Sequence, residues 1–206
     1  MEIIKIADVG LETAARKAAD VLERGGLIVY PTDTLYGIGV NAASPEALAR
    51  MRELKVRDDK KPVSILAAST GAIERDAVLT ERAKELAARI LPGALTLVLP
   101  AREHLGTAVT QHGTVGVRVP ADPFALALAA MTSFPVTATS ANIAGMATPA
   151  TVPEILMHFG PAIRHIELFI DDGPRAGGVP STVVRATDDG LHILREGAIS
   201  REDLGL

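Results

Sequence analysis

The chain contains no cysteine and no tryptophan. The first absence excludes disulfides, thiol nucleophiles and thiolate metal sites, and is compatible with a reducing cytoplasm. The second, with aromatic residues at only 3%, leaves Ala, Val, Ile and Leu to build the core. It also argues against an aromatic platform for stacking single-stranded bases. A basic excess is missing too. With a net charge of −4, general attraction to nucleic-acid phosphate is weak, and any anion site must be local. Long apolar runs are absent as well. The longest uncharged stretch, Pro123 to Pro153, is interrupted by Pro135 and many hydroxyl residues. Its continuous apolar part, Phe124 to Met131, is too short to span a bilayer. Charges at Glu2 and Lys5 with no apolar segment behind them argue against a signal peptide. A cytoplasmic protein without membrane attachment is expected.

What remains is 206 residues, 48% apolar and 22% charged. That suits one ordinary globular domain, residues 1–206, long enough to bury a core. Helical spacing over Leu11 to Arg24 places Leu11, Ala14, Ala15, Ala18, Val21 and Leu22 on one face, and Gly25-Gly26 stops it. Ser44-Pro45 and Asp122-Pro123 pair a capping side chain with a proline at the first helical position, predicting helices to about Lys55 and Met131. Thr80 and Thr151 cap two more, over Glu81 to Ile90 and to Phe159, and Ser200 starts a last short one. Strands are expected at Ile3–Ile6, Leu27–Tyr30, Val63–Leu66, Leu95–Leu99, Val115–Val119, Val136–Ala138, Leu168–Ile170, Thr182–Val184 and Leu191–Leu194. Helices and strands alternate for two-thirds of the chain, which points to the α/β class with one mixed, twisted sheet. Asp171 to Pro180 is the loop best suited to close over a site.

Five separated segments carry candidate chemistry. Pro31-Thr32-Asp33-Thr34 follows a buried strand, where ligands gather in open α/β sheets. Thr32 and Thr34 suit a small polar ligand, or a turn whose hydroxyls satisfy their own backbone. Lys55-Val56-Arg57, with Lys60-Lys61 close behind, is either a phosphate clamp or a set of cations at a helix C-terminus. No P-loop pattern occurs. Gly116-Val117-Arg118 sets a guanidinium inside an apolar strand, where it needs a carboxylate from the protein or from a ligand. Thr139-Ser140-Ala141-Asn142 offers hydroxyls and an amide for phosphate or ribose, or an Asn-mediated turn; a nucleophile elbow is absent. Ser181-Thr182 adds two more hydroxyls. The five histidines show no metal spacing, and Asp171-Asp172 reads as a turn.

Taken in order, Tyr30-Pro31-Thr32-Asp33-Thr34-Leu35-Tyr36-Gly37, Lys55-x-Arg57, Pro92-Gly93-x-Leu95-Thr96, Gly116-Val117-Arg118-Val119-Pro120, Ser140-Ala141-Asn142, Pro180-Ser181-Thr182-Val183-Val184 and Leu194-Arg195-x-Gly197 resemble the YrdC/TsaC family of threonylcarbamoyl-AMP synthases. The resemblance runs from about residue 3 to 199. It implies a twisted mixed sheet with flanking helices around a large electropositive cavity. It further implies that L-threonine, bicarbonate and ATP are converted to threonylcarbamoyl-AMP and pyrophosphate, for modification of a tRNA adenosine by downstream proteins. Magnesium held by phosphate oxygens is expected, with no protein metal site. Matched residue by residue, Thr34, Arg118 and Ser181 fall at threonine-binding positions, with Thr32 beside them. Lys55, Arg57, Thr114, Ser140, Asn142 and Arg195 fall around ATP, and Lys61 and Thr148 on the nucleotide side. Lys55 and Arg57 are the candidate catalytic groups. Leu66 and Pro180 depart from the His and Glu that some members carry. Three rivals stand beside this reading: a relative that uses carbamoyl phosphate, an RNA-binding module, and a paralogue that keeps the fold but has lost activity, against which the intact Lys55-x-Arg57 and Ser140-x-Asn142 pairs argue; weak RNA binding is allowed alongside the synthase reading. Arg57→Ala is expected to abolish adenylate formation while a thermal melt stays unchanged, because a helix-end cation contributes little to stability. Normal ATP turnover by that variant would remove the clamp assignment.

Overall fold

The structure is a computed structural model and describes residues 1–56, 62–175, 178–187 and 189–206. In chain order the elements are β1 (Glu2–Lys5), α1 (Ile6–Val9), α2 (Leu11–Glu23), β2 (Ile28–Tyr30), β3 (Gly37–Gly39), α3 (Pro45–Lys55), β4 (Ile65–Leu66) and α4 (Glu81–Ile90). There follow β5 (Leu95–Pro100), β6 (Thr114–Arg118), α5 (Pro123–Met131), β7 (Thr139–Ser140), α6 (Val152–Phe159), β8 (Leu168–Asp171), β9 (Thr182–Thr187), β10 (Gly190–Arg195) and α7 (Arg201–Leu204). Two 3₁₀ segments, Gly71–Arg75 and Gly160–His165, complete the set.

The caps explain the helix starts. Ser44 Oγ accepts from Ala47 N at 3.1 Å, Thr80 Oγ1 from Ala83 N at 3.2 Å, and Asp122 Oδ1 from Ala125 N at 2.9 Å. Each satisfies a first-turn donor that the helix itself leaves open. Thr151 and Glu154 form a reciprocal capping box at the start of α6. α3 ends with Val56 in the left-handed region, φ 49 and ψ 48. This is a costly conformation for a β-branched residue, and it turns the chain sharply just before Arg57.

The strands form two mixed five-stranded sheets, ordered β1-β8-β2-β3-β7 and β10-β9-β5-β6-β4, rather than the single sheet expected from the alternation of elements. The strand expected at residues 136–138 explains the difference. It is a seam: Val136 bridges Asn41 while Thr137 bridges Ile65, and Leu66 N donates to Val136 O at 2.8 Å. Fully buried Thr137 ties the seam down, its hydroxyl donating to Ile38 O and accepting from Val40 N, both at 3.0 Å. The expected strand is therefore not formed; a short stretch of isolated bridges borders both sheets instead.

β2 is buried on both faces, which is why it reads as an unbroken apolar run. Ile28 and Tyr30 pack with α2 and α5 on one side, while Leu27 and Val29 join the larger core on the other. α2 contributes Ala14, Ala15, Ala18 and Leu22, the small residues letting it lie close to the sheet. No helix among the described residues is long and apolar enough to cross a membrane.

Candidate active site

A cavity of about 700 Å³ opens between the two sheets. Strand alternation decides what faces it. On β6, Thr114, Gly116 and Arg118 line it while Val115 and Val117 point into the core. Thr96 and Val98 of β5, and Ser181, Val183 and Arg185 at the start of and along β9, do the same. From the other sheet come Tyr30, Thr32 and Thr34 at the end of β2, and Thr139 and Ser140 of β7. Two glycines keep the wall open. A Cβ on Gly116 would fall 2.5 Å from Ser64 Oγ, and one on Gly37 would fall 2.9 Å from the Tyr30 ring. Arg118, Arg185, Arg195 and His112 line the cavity, and no carboxylate does so among the described residues.

Arg118 is the centre of one end. It lies between Thr96 of β5 and Leu66 of β4, its register partners, and is 8% exposed. Its Nη2 donates to Asp33 Oδ1 at 2.6 Å and to Thr34 Oγ1 at 2.9 Å, while Nε is buried with no partner among the described residues. The carboxylate that a strand arginine requires is therefore Asp33, a residue within the first motif to which sequence reasoning gave no role. Beside Arg118, Thr96 Oγ1 and Ser181 Oγ lie 2.9 Å apart, and Arg195 Nη2 donates to Ser181 O at 2.7 Å. Burial, and then the nearby Arg118 guanidinium, hold Arg195 below the usual arginine range. The two like charges oppose each other, an effect that an added anion would relieve.

The other candidates divide. The Thr32 hydroxyl serves its own turn, donating to Leu35 O at 2.6 Å and accepting from Leu35 N at 3.2 Å. Lys55 is buried, and its Nζ donates to Ser140 O and, at 2.7 Å, to Asn142 O. Asn142 donates to Ile143 O at 3.0 Å and to Met146 O, and accepts from Ser140 Oγ at 2.6 Å. These contacts make a buried ammonium the peg of the Ser140–Asn142 turn. Neither Lys55, Asn142 nor half-buried Thr148 is among the residues lining the cavity. Arg57, Lys60 and Lys61 lie outside the described residues.

The loop after β8 is tethered. Tyr36 OH donates to Gly173 O at 2.7 Å and accepts from Asp172 N at 3.1 Å. Arg175 pairs with Asp122 at 3.3 Å and Asp172 at 2.8 Å. Asp171 Oδ1 accepts from Gly173 N at 3.0 Å, the turn its sequence suggested. The Tyr36 contacts and the Arg175–Asp122 pair could not have been found by pattern, since those partners lie more than a hundred residues away or in another part of the chain.

Residues 20–197 match the Sua5–YciO–YrdC family model, described as telomere recombination. A Methanocaldococcus jannaschii protein is 32% identical over 207 residues, covering 98% of this chain and 96% of its own. The threonylcarbamoyl-AMP synthase of Pyrococcus abyssi is 37% identical over 204 residues, covering 98% of this chain. The chain spans only 59% of that relative's length. The crystal structure of P. abyssi Sua5 complexed with L-threonine superposes with a TM-score of 0.89 at 36% identity, over 99% of this chain and 60% of that one.

Two outcomes test the geometry. Lys55→Ala leaves buried carbonyl oxygens of the Ser140–Asn142 turn unpaired and is expected to lower stability by about 2–3 kcal/mol in urea denaturation. The chain has two tyrosines and no tryptophan, so tyrosinate absorbance reports both directly. Burial raises the Tyr30 hydroxyl, and burial pushes that of Tyr36 up to about 12. The native protein should show no tyrosinate signal near pH 10, where unfolded tyrosine titrates at about that value. Because the unfolded chain releases these protons first, stability falls as pH rises from about 10 through the folded values.

Proposed function

Because the chain belongs to the Sua5–YciO–YrdC family, we propose that it joins L-threonine, bicarbonate and ATP to give threonylcarbamoyl-AMP, pyrophosphate and water. The observation that carries this reading is the meeting of Arg118, Thr96, Ser181 and Arg195 at one end of a cavity that continues past Thr114 and Ser140. One end suits a small hydroxy amino acid, with guanidinium for its carboxylate and hydroxyls for its side chain. The remaining length suits a nucleotide, with Thr114, Ser140 and Arg195 along the wall and Arg57, Lys61 and Thr148 assigned from the sequence. Asn142 and Lys55 act in this reading by shaping the Ser140 turn. The P. abyssi structure with L-threonine supports the choice of amino acid.

The chemistry asks for positioning more than for a dedicated base. The threonine amine attacks bicarbonate or a species derived from it with loss of water, and a carbamate oxygen must then attack the α-phosphorus of ATP, expelling pyrophosphate, before the carbamate loses carbon dioxide. A concave site that holds three reactants together supplies effective concentration and limits water. Arginine and lysine offset charge growing on the phosphates as pyrophosphate departs. With no carboxylate on the described lining, a magnesium ion would ride on the triphosphate oxygens rather than on the protein. The adenylate would then pass to proteins that modify tRNA, in the cytoplasm.

Incubation with ATP, threonine and isotopically labelled bicarbonate should give a product carrying the label, read by mass spectrometry. Omitting threonine should stop pyrophosphate release. Undiminished release would favour a carbamoyl-phosphate user, and tight RNA binding without ATP turnover an RNA-binding module. Arg118→Ala should raise the threonine requirement far more than that for ATP.

A further inference from the structure

A guanidinium offers a carboxylate two paired edges, Nε with Nη2 and Nη1 with Nη2, because its own Cδ blocks the third. Both edges run through Nη2. In Arg118 the two Nη2 hydrogens are already engaged, by Asp33 Oδ1 at 2.6 Å and Thr34 Oγ1 at 2.9 Å. No ligand carboxylate can therefore take a bidentate grip on Arg118 while both contacts persist. Thr34 is held in its turn by Thr32, the two hydroxyls lying 3.2 Å apart and Thr34 N donating to Thr32 Oγ1 at 3.2 Å. Asp33 has no other side-chain bond among those recorded for the described residues, so it is the contact that yields. Its carboxylate is covered, with the side chain only 14% exposed, although the residue as a whole sits at the surface.

We propose that Asp33 is an internal counter-ion that the substrate carboxylate must displace, and that this exchange selects α-amino acids over acids lacking the amine. The inference rests on the proposed amino-acid reading of this end of the cavity. A ligand bringing only a carboxylate would take Arg118 and leave a covered Asp33 anion without a cation, which is unfavourable. An α-amino acid brings an ammonium group one carbon from its carboxylate. Asp33 is not itself on the cavity lining but is bonded to Arg118, which is; as that arginine is taken the ammonium restores a partner to Asp33, so charge stays matched on both sides of the exchange. Asp33 acts here as a specificity-determining residue, through Arg118 and by pairing the ligand's ammonium, which must lose a proton and leave that pairing before the amine attacks. Rejection follows from an unpaired charge rather than from a poor fit, which is an efficient way to discriminate between ligands of similar shape.

The test is calorimetric binding of two probes to the full chain: L-threonine, and 2,3-dihydroxybutanoate, in which a hydroxyl replaces the amine. Wild-type protein should prefer threonine strongly. In Asp33→Asn, which keeps an acceptor for Nη2 but removes the charge, the preference should shrink by about tenfold or more, the size of one charged hydrogen bond, with the analogue binding more tightly than to wild type. Asp33→Ser should move the ratio in the same direction, so a folding defect in one variant cannot decide the result. An unchanged ratio, or equal weakening of both probes as a mere support for Arg118 would give, overturns the exchange alone. Failure of wild-type protein to bind threonine at all overturns the functional reading, and the exchange with it.

Discussion

A cation cannot be placed inside a sheet without an anion to face it, and this constraint organises the site around Arg118. Held between Leu66 and Thr96 on neighbouring strands, the guanidinium reaches across to the turn after β2 and meets Asp33 there. The pair links the two sheets at the end of the cavity. Thr34, Thr96, Ser181 and Arg195 then fall into place around it through hydroxyl contacts and a backbone carbonyl. Arg118 holds the Pro31–Gly37 turn against β6 through both Asp33 and Thr34.

A second buried cation does comparable work at a different place. Lys55 carries its ammonium into the interior at the end of α3 and spends it on the oxygens of Ser140 and Asn142. The strained left-handed Val56 follows at once. Lys55 thus fixes a turn of the cavity wall.

Local signals were the easiest to read. Caps at Ser44, Thr80, Asp122, Thr151 and Ser200, with proline at the first helical position of α3 and α5, act within one turn of backbone, and the helices begin where those residues require. β3 was harder. Gly37-Ile38-Gly39 has little strand character by itself and becomes a strand because β2 and β7 flank it. The division into two sheets was equally hidden, since a seam is a property of pairing partners and leaves no trace in the periodicity of residues 136–140.

For the site, residue types and order along the chain determined which chemistry is present: hydroxyls, an amide and a few cations, without thiol or clustered metal ligands. The amphipathic faces and caps likewise belong to the sequence, because neighbours within a turn or a strand produce them. Only the tertiary structure decided which of those groups share a wall. It assigned Asp33 to Arg118, committed the Thr32 hydroxyl and the Asn142 amide to their own turns, and turned Lys55 into a peg. The Asp33–Arg118 pair and the Lys55 peg depend on atoms 85 and 87 residues apart coming within 3 Å, and such separations are set by packing and charge pairing in three dimensions rather than by any pattern along the chain.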